Sequence, residues 1–156
     1  MALTKVTYAM IKGSTLNILD FGASPTATAA DNTTAIQAAI DAANAAGGGA
    51  VYIPSGTYTL SSGGVIMKSN VTVFGDGYAS KLQGPDFIIG VHSGANPPSA
   101  SAALTNCEIR DIHTYCTYTG STYQDSWCIY FFINNVNQTN PTVRGSNIRV
   151  LNCYAN

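Results

Sequence analysis

Two hydrophobic periods divide the chain. Between residues 32 and 46, Ile36, Ala39, Ile40 and Ala43 recur at spacings of three and four, while Gln37, Asp41 and Asn44 lie off that stripe. This spacing places the apolar residues on one face of an α-helix, and the alanine-rich composition favours helix at each step. Asp31 or Asn32 is positioned to cap its start, and Gly47 to end it in the left-handed conformation. After Gly49 the period becomes two. Residues 50–53, 57–60, 65–67 and 71–74 read as short strands, punctuated by Pro54-Ser55-Gly56, Ser61-Ser62-Gly63-Gly64, Lys68-Ser69-Asn70 and Gly75-Asp76-Gly77. Ahead of the helix, residues 17–22 read as a short apolar strand ending in a glycine turn. Residues 1–16 read as an arm with too little apolar content to order itself alone.

Short strands at close, irregular spacing fit a sandwich, a barrel or a solenoid. An internal repeat selects the solenoid. Asn70-Val71-Thr72-Val73, Asn106-Cys107-Glu108-Ile109 and Asn147-Ile148-Arg149-Val150 share the order Asn, apolar, polar, apolar, at offsets of 36 and 41 residues. In the last two copies the match extends, with Asp111 opposite Asn152, Ile112 opposite Cys153 and His113 opposite Tyr154. A solenoid tolerates unequal loops between copies because each coil touches only its neighbours. The alignment carries a sharp consequence: Thr72, Glu108 and Arg149 occupy equivalent outward positions, and Glu108 and Arg149 pair across neighbouring coils.

Composition removes whole classes of function. Charged residues make up only 10% of the chain and the net charge is −1, against about a quarter charged in an average soluble domain. Without a basic patch to displace phosphate counterions, no nucleic-acid partner is expected. No apolar run approaches the ~20 residues that span a bilayer, so no membrane partner is expected. Residues 1–8 lack the apolar core of a signal peptide. Cys107, Cys116, Cys128 and Cys153 form no CxxC pair, and no histidine stands at zinc-ligand spacing. They are expected as reduced, buried thiols acting as small apolar residues, with neither a cofactor nor a metal.

Residues 17–82 resemble the N-terminal part of the pectate-lyase-like superfamily of right-handed β-helices. The residues that carry the resemblance are Asn17-Ile18-Leu19-Asp20-Phe21-Gly22-Ala23, the helix from Asp31 to Ala43, Gly47-Gly48-Gly49-Ala50-Val51-Tyr52-Ile53-Pro54-Ser55-Gly56-Thr57-Tyr58, Asn70-Val71-Thr72-Val73 and Gly75-Asp76-Gly77. The resemblance implies an all-β, right-handed, single-stranded parallel β-helix over residues 17–156, with the helix at 32–46 laid across its open first coil. A helix placed there hides apolar surface and blocks strand pairing at the end of the solenoid. The arm, Ala2-Leu3-Thr4-Lys5-Val6-Thr7-Tyr8 followed by Met10-Ile11, is similar to the start of bacteriophage tail spike and tail fibre proteins. That likeness implies a homotrimer in the virion tail, attached to other tail proteins through residues 1–16, with a β-helix that recognises or degrades host surface polysaccharide. The chain ends without a capping element, as expected of an N-terminal fragment or of a subunit covered by another chain.

Polysaccharide hydrolysis on such a scaffold needs two carboxylates on one face. Asp20, Asp31, Asp41 and Asp76 fall at caps and turns. Glu108, Asp111 and His113 are the catalytic candidates, since acid, base and the Arg110 cation stand close together. The plainer reading of the same residues is a solvated coil with an Asp at a bend. Trp127, Tyr118 and Tyr123 are the carbohydrate-binding candidates, because exposed aromatic faces stack on sugar rings. For Tyr118 and Tyr123 a subunit interface is an equal alternative. The sequence thus supports two functions, an attachment module and a polysaccharide lyase or glycoside hydrolase.

Overall fold

The computed structural model describes residues 13–85, 88–91, 104–117, 128–131 and 146–155. Strand β1 (Thr15–Asn17) precedes helix α1 (Ala29–Ala45), the one α-helix among the described residues. The strands that follow are β2 (Gly49–Ile53), β3 (Gly56–Thr59), β4 (Val65–Ile66), β5 (Val71–Gly75), β6 (Ser80–Gly84), β7 (Ile89–Val91), β8 (Thr105–Arg110), β9 (His113–Cys116), β10 (Ile129–Phe131), β11 (Ser146–Leu151) and β12 (Tyr154–Ala155). They form three sheets, in the orders β1-β2-β5-β8-β11, β3-β6-β9-β12 and β4-β7-β10. We call these the first, second and third sheet. Every pairing is parallel. From β2 onward the chain visits the first, second and third sheet in that fixed order, coil after coil, which makes it a parallel β-helix.

The alternation of residues within each strand builds the interior. Leu16, Val51, Val73 and Ile109 are consecutive register partners inside the first sheet, and each is buried. Tyr58, Leu82 and Thr114 stack the same way inside the second sheet, and Val65 pairs with Ile89 in the third. Fully burying an aliphatic or aromatic side chain contributes about 1.5–3 kcal/mol, so these rows add to the hydrogen-bonded ladders in holding the coils together. The expected register holds. Thr72 pairs with Glu108 and Glu108 with Arg149, and Arg149 Nη1 lies 3.5 Å from Glu108 Oε2. Cys107 is buried in this interior as expected, with its thiol pushed up to about 11 by burial. Cys116, Cys128 and Cys153 are only half-buried.

Helix α1 lies against β1 to β5. Its stripe of Ile36, Ala39, Ile40 and Ala43 is buried, together with Ala35. Polar side chains of the helix fasten its flanks to coil backbone. Gln37 donates to the Ile66 carbonyl and accepts from the Ile66 N–H, while Asn44 donates to Ser69 O. The boundaries differ from expectation. The helix runs from 29 to 45 rather than 32 to 46, and its cap is Thr28, whose hydroxyl accepts from Asp31 N–H and donates to the Asp31 carboxylate. Asp31 thus stands at the third helical position and answers the cap with both its N–H and its carboxylate. Asn32 is buried, with its side-chain oxygen accepting from Ser24 N–H. At the other end Gly47 adopts φ +88. The Gly47 N–H donates to Asn44 O and the Gly48 N–H to Ala43 O, which is a Schellman closure.

Two other expectations change. Of residues 17–22 only Asn17 belongs to a strand: residues 18–21 make a 3-10 turn, because the Asn17 side chain accepts from Leu19 N–H and Gly22 closes the turn at φ +98. Thr15 and Leu16, expected within the arm at 1–16, instead pair with Ala50 and Val51 as the first strand of the first sheet. Residues 1–12 lie outside the described residues.

Candidate functional site

The outer face of the second sheet collects aromatic rings around one cation and one imidazole. Thr57, Lys81, His113 and Tyr154 are consecutive register partners pointing outward, and Thr59, Gln83 and Tyr115 form the next row. Lys81 Nζ sits 4.3 Å from the centre of the Tyr115 ring, a cation–π distance. Tyr78 lies over His113 with ring centres 4.3 Å apart and planes 17° from parallel, and meets Tyr154 edge-on at 5.5 Å. Tyr78 and Tyr154 are well exposed, at 63% and 52%.

Tyr78 reaches this position through unequal bends. Phe74 pairs with Arg110 and Lys81 with His113, so the chain spends residues 75–80 on one bend and only 111–112 on the next. The additional length carries Tyr78, on a 3-10 turn over Gly77–Ala79, out over the neighbouring coil. Gly75 permits the fold-back: a Cβ there would stand 2.5 Å from Ser80 Cβ. Ser80 Oγ donates to Ile53 O and accepts from Asp76 N–H, both at 2.7 Å. Asp76 accepts from Tyr52 OH and from the backbone and hydroxyl of Ser55. The bonds from Ser55, and then Tyr52, hold its carboxyl below the usual carboxylate range.

His113 is only 2% exposed, and neither ring nitrogen has a hydrogen-bond partner among the described residues. Burial, with a smaller contribution from Lys81, lowers its pKa below the usual histidine value, so the imidazole is neutral near pH 7. The other two catalytic candidates are placed elsewhere. Glu108 faces out from the first sheet and pairs with Arg110 at 3.1 Å as well as with Arg149. Asp111 occupies the corner between the sheets at φ +53. It takes Arg110 Nη1 at 2.7 Å and Asn152 Nδ2 at 3.1 Å, and these bonds, Arg110 first, lower its pKa. Arg110 also lies over the Phe74 ring, 4.7 Å from its centre. Trp127, Tyr118 and Tyr123 fall outside the described residues.

Tyr78, Lys81, Tyr115 and Tyr154 were missed as site residues by sequence reasoning, although Tyr154 had been set opposite His113. The available signal was the spacing of short polar and aromatic residues on strands of period two, which puts Lys81 and Gln83 on one face and Tyr115 on the same face as His113. Among the described residues the strands of the second sheet carry no Asp or Glu. Ring faces and one cation are thus what this wall presents among the described residues.

Comparison with known proteins agrees with the fold. Residues 15–102, more than half of the chain, match the family described as rhamnogalacturonase A/epimerase, pectate lyase-like. Mannuronan C5-epimerase AlgE3 of Azotobacter vinelandii is 52% identical over 67 residues, which cover 39% of this chain and 4% of that protein. Alginate lyase 7 of the same organism is also 52% identical over 67 residues, covering 39% and 8%. The match thus spans less than a tenth of either relative's length. Among solved structures, the A-module of A. vinelandii mannuronan C-5 epimerase AlgE4 is 25% identical, with a TM-score of 0.51 over 74% of this chain and 36% of that one. The AlgE6 A-module, 22% identical, has a TM-score of 0.51 over 90% and 40%, a likeness of fold. On the strength of the match over residues 15–102, the chain belongs to the rhamnogalacturonase A/epimerase, pectate lyase-like family.

Proposed function

We propose that this chain forms a right-handed β-helix that binds an acidic, uronate-type polysaccharide along the outer face of the second sheet. In this reading α1 caps the first coil, and the hand is the one that parallel crossovers take. The observation that carries the function is the cluster of Tyr78, Tyr154 and Tyr115 around Lys81 and His113. Tyrosine faces offer stacking area to pyranose rings, and a cation among them selects for carboxylate-bearing sugars. The names of the relatives, mannuronan epimerases and an alginate lyase, favour the same polymer class. Calorimetric titration with oligomannuronate and with a neutral glucan tests it. Binding of the acidic oligomer alone, weakened severalfold by Lys81→Met and by Tyr154→Ala, is the expected result. Equal affinity for both sugars, or no loss in either variant, would overturn it.

A second reading places the same wall in a virion tail: a homotrimeric spike, anchored to other tail proteins by residues 1–16, whose β-helix recognises host surface polysaccharide. Its support is the likeness of residues 2–11 to phage tail spike and tail fibre proteins. Sedimentation equilibrium discriminates between the two. A trimer that falls apart on deletion of residues 1–12 favours the spike, and a monomer at micromolar concentration removes it.

A further inference from the structure

We propose that His113 is a proton-linked anchor for a sugar carboxylate, reached when Tyr78 swings off the imidazole. The inference rests on the reading of the second sheet as a polysaccharide-binding wall and deepens it.

The starting observation is an anomaly. Buried polar atoms nearly always have partners, yet both nitrogens of His113 are buried and have none among the described residues. No local bond explains why an imidazole rather than an apolar ring occupies this place. Its surroundings do suggest a ligand. Lys81 is its register partner on β6 and Tyr154 its partner on β12, while Tyr78 stacks on its face. Tyr115, two residues along β9, faces Lys81. Asp111, the nearest acid in sequence, is engaged by Arg110 and Asn152. The described groups around the imidazole are therefore one cation and two phenols, with no anion among them. A carboxylate is the group this arrangement lacks.

The cover is suited to moving. Tyr78 is the most exposed ring of the cluster, at 63%. It stands on the longer of the two bends, next to Gly77 at φ +70 with open space around its Cβ position. A uronate ring can take the place of the Tyr78 ring on this wall, with its carboxylate beside Lys81 and the imidazole. The imidazole then takes one proton from solvent and donates it as a charge-assisted hydrogen bond to the carboxylate. No covalent bond changes, and one proton is taken up per uronate seated.

Linkage fixes the sign. In the free protein burial keeps the His113 pKa below the usual histidine value, while a bound carboxylate raises it. Between the two values affinity increases as pH falls, by up to about tenfold per pH unit.

The test uses a mannuronate hexamer and the two histidines of the chain, His92 and His113. Their Cε1–H resonances are assigned with His92→Gln and followed by NMR from pH 5 to 8, with and without saturating hexamer. Affinities are measured in parallel at pH 5.5, 6.5 and 7.5 for the wild type, His113→Gln and Tyr78→Ala. We expect the hexamer to shift the His113 midpoint upward, wild-type affinity to rise severalfold or more toward pH 5.5, and His113→Gln to flatten that profile. Tyr78→Ala should raise the midpoint in the free protein. A hexamer that binds while leaving the His113 midpoint unmoved overturns the anchor and leaves the wall standing. A hexamer that binds at none of these pH values overturns the wall and the anchor together. The midpoint is read on unmutated His113, so a poorly folding variant does not decide the result.

Discussion

Asn106 donates from its side-chain nitrogen to the side-chain oxygen of Asn70, 36 residues earlier, at 3.1 Å. Asn147 repeats the contact onto Asn106 at 3.0 Å. All three hold positive φ, at +63, +55 and +53, a conformation that Asn tolerates better than other residues with a side chain. Asn70 turns the chain from β4 into β5, Asn106 and Asn147 stand near the starts of β8 and β11, and the three side chains join coil to coil. The two roles separate by substitution. Asn106→Gly keeps the backbone and loses the side-chain bonds, whereas Asn106→Ala loses both. Left-handed backbone costs an L-residue roughly 1–2 kcal/mol, so Asn106→Ala should be less stable than Asn106→Gly by about that amount in denaturant titrations. Equal stabilities would mean the turn is held by something other than the residue's conformational tolerance.

Asp76 ties the first coil to the second through Tyr52 and Ser55. Its carboxyl is held below the usual carboxylate range in the fold. The stabilisation is therefore complete above the unfolded value of about 3.9 and is lost as pH falls through the lower folded value. Melting temperature followed from pH 6 down to pH 2 should fall more steeply for the wild type than for Asp76→Asn, which should already melt lower at pH 6. Parallel curves would remove Asp76 from the acid response.

Gly75 stands where Ser80 folds back. An added Cβ would lie 2.5 Å from Ser80 Cβ, 2.7 Å from its Oγ and 3.0 Å from Asp111 O. Overpacking of this kind typically costs about 1–3 kcal/mol. It would also disturb the Ser80 bonds to Ile53 O and Asp76 N–H, and with them the bend that carries Tyr78. Gly75→Ala should lower stability within that range and weaken oligouronate binding as well. A destabilised Gly75→Ala protein with unchanged affinity would disconnect the bend from the wall.

The first-sheet charges offer a quieter check. Glu108 sits between Arg110 and Arg149, and Arg149 is 58% exposed. Partly exposed pairs contribute about 0.2–1 kcal/mol. A double-mutant cycle on Glu108→Gln and Arg149→Gln should return a coupling in that range, shrinking as salt is added. A coupling of several kcal/mol would indicate a far drier pair than the geometry describes.

Much of the fold was legible because its marks are local or periodic. The Ile36/Ile40 stripe located α1, and the three Asn copies set the register of β5, β8 and β11. The misreadings had local physical causes. Thr28 captured the helix start because Asp31 answers it three residues on, and the Asn17 side chain diverted residues 18–21 from strand into a tight turn. The site was harder to read. His113 was singled out, but the Asn repeat runs at an offset of 36 while Lys81 and His113 are 32 apart. The longer bend at 75–80 shifts the second sheet against the first, so alignment on the Asn copies does not set Lys81 against His113. Tyr78 lies on that bend and matches nothing in the next coil.

The unpartnered imidazole makes a final prediction that sets stability against binding. Replacing a buried polar group that has no partner by an apolar one of similar shape removes its desolvation penalty, about 1–3 kcal/mol. His113→Phe should therefore melt above the wild type, with Tyr78 stacking on the new ring. The difference should widen as pH falls. Because the folded His113 pKa is depressed, the unfolded chain takes up its proton first. The stability that the neutral imidazole retains above the unfolded value of about 6.5 is lost as pH drops toward the folded value. His113→Phe has no such proton to take up, so its stability should change less between pH 7 and pH 5. The same variant should lose the rise in oligouronate affinity on acidification. Thermal melts at pH 5, 6 and 7, run beside titrations with the mannuronate hexamer, check both halves. A variant less stable than the wild type at every pH would mean that the imidazole is already satisfied in the fold, and that its place on the wall is owed to packing.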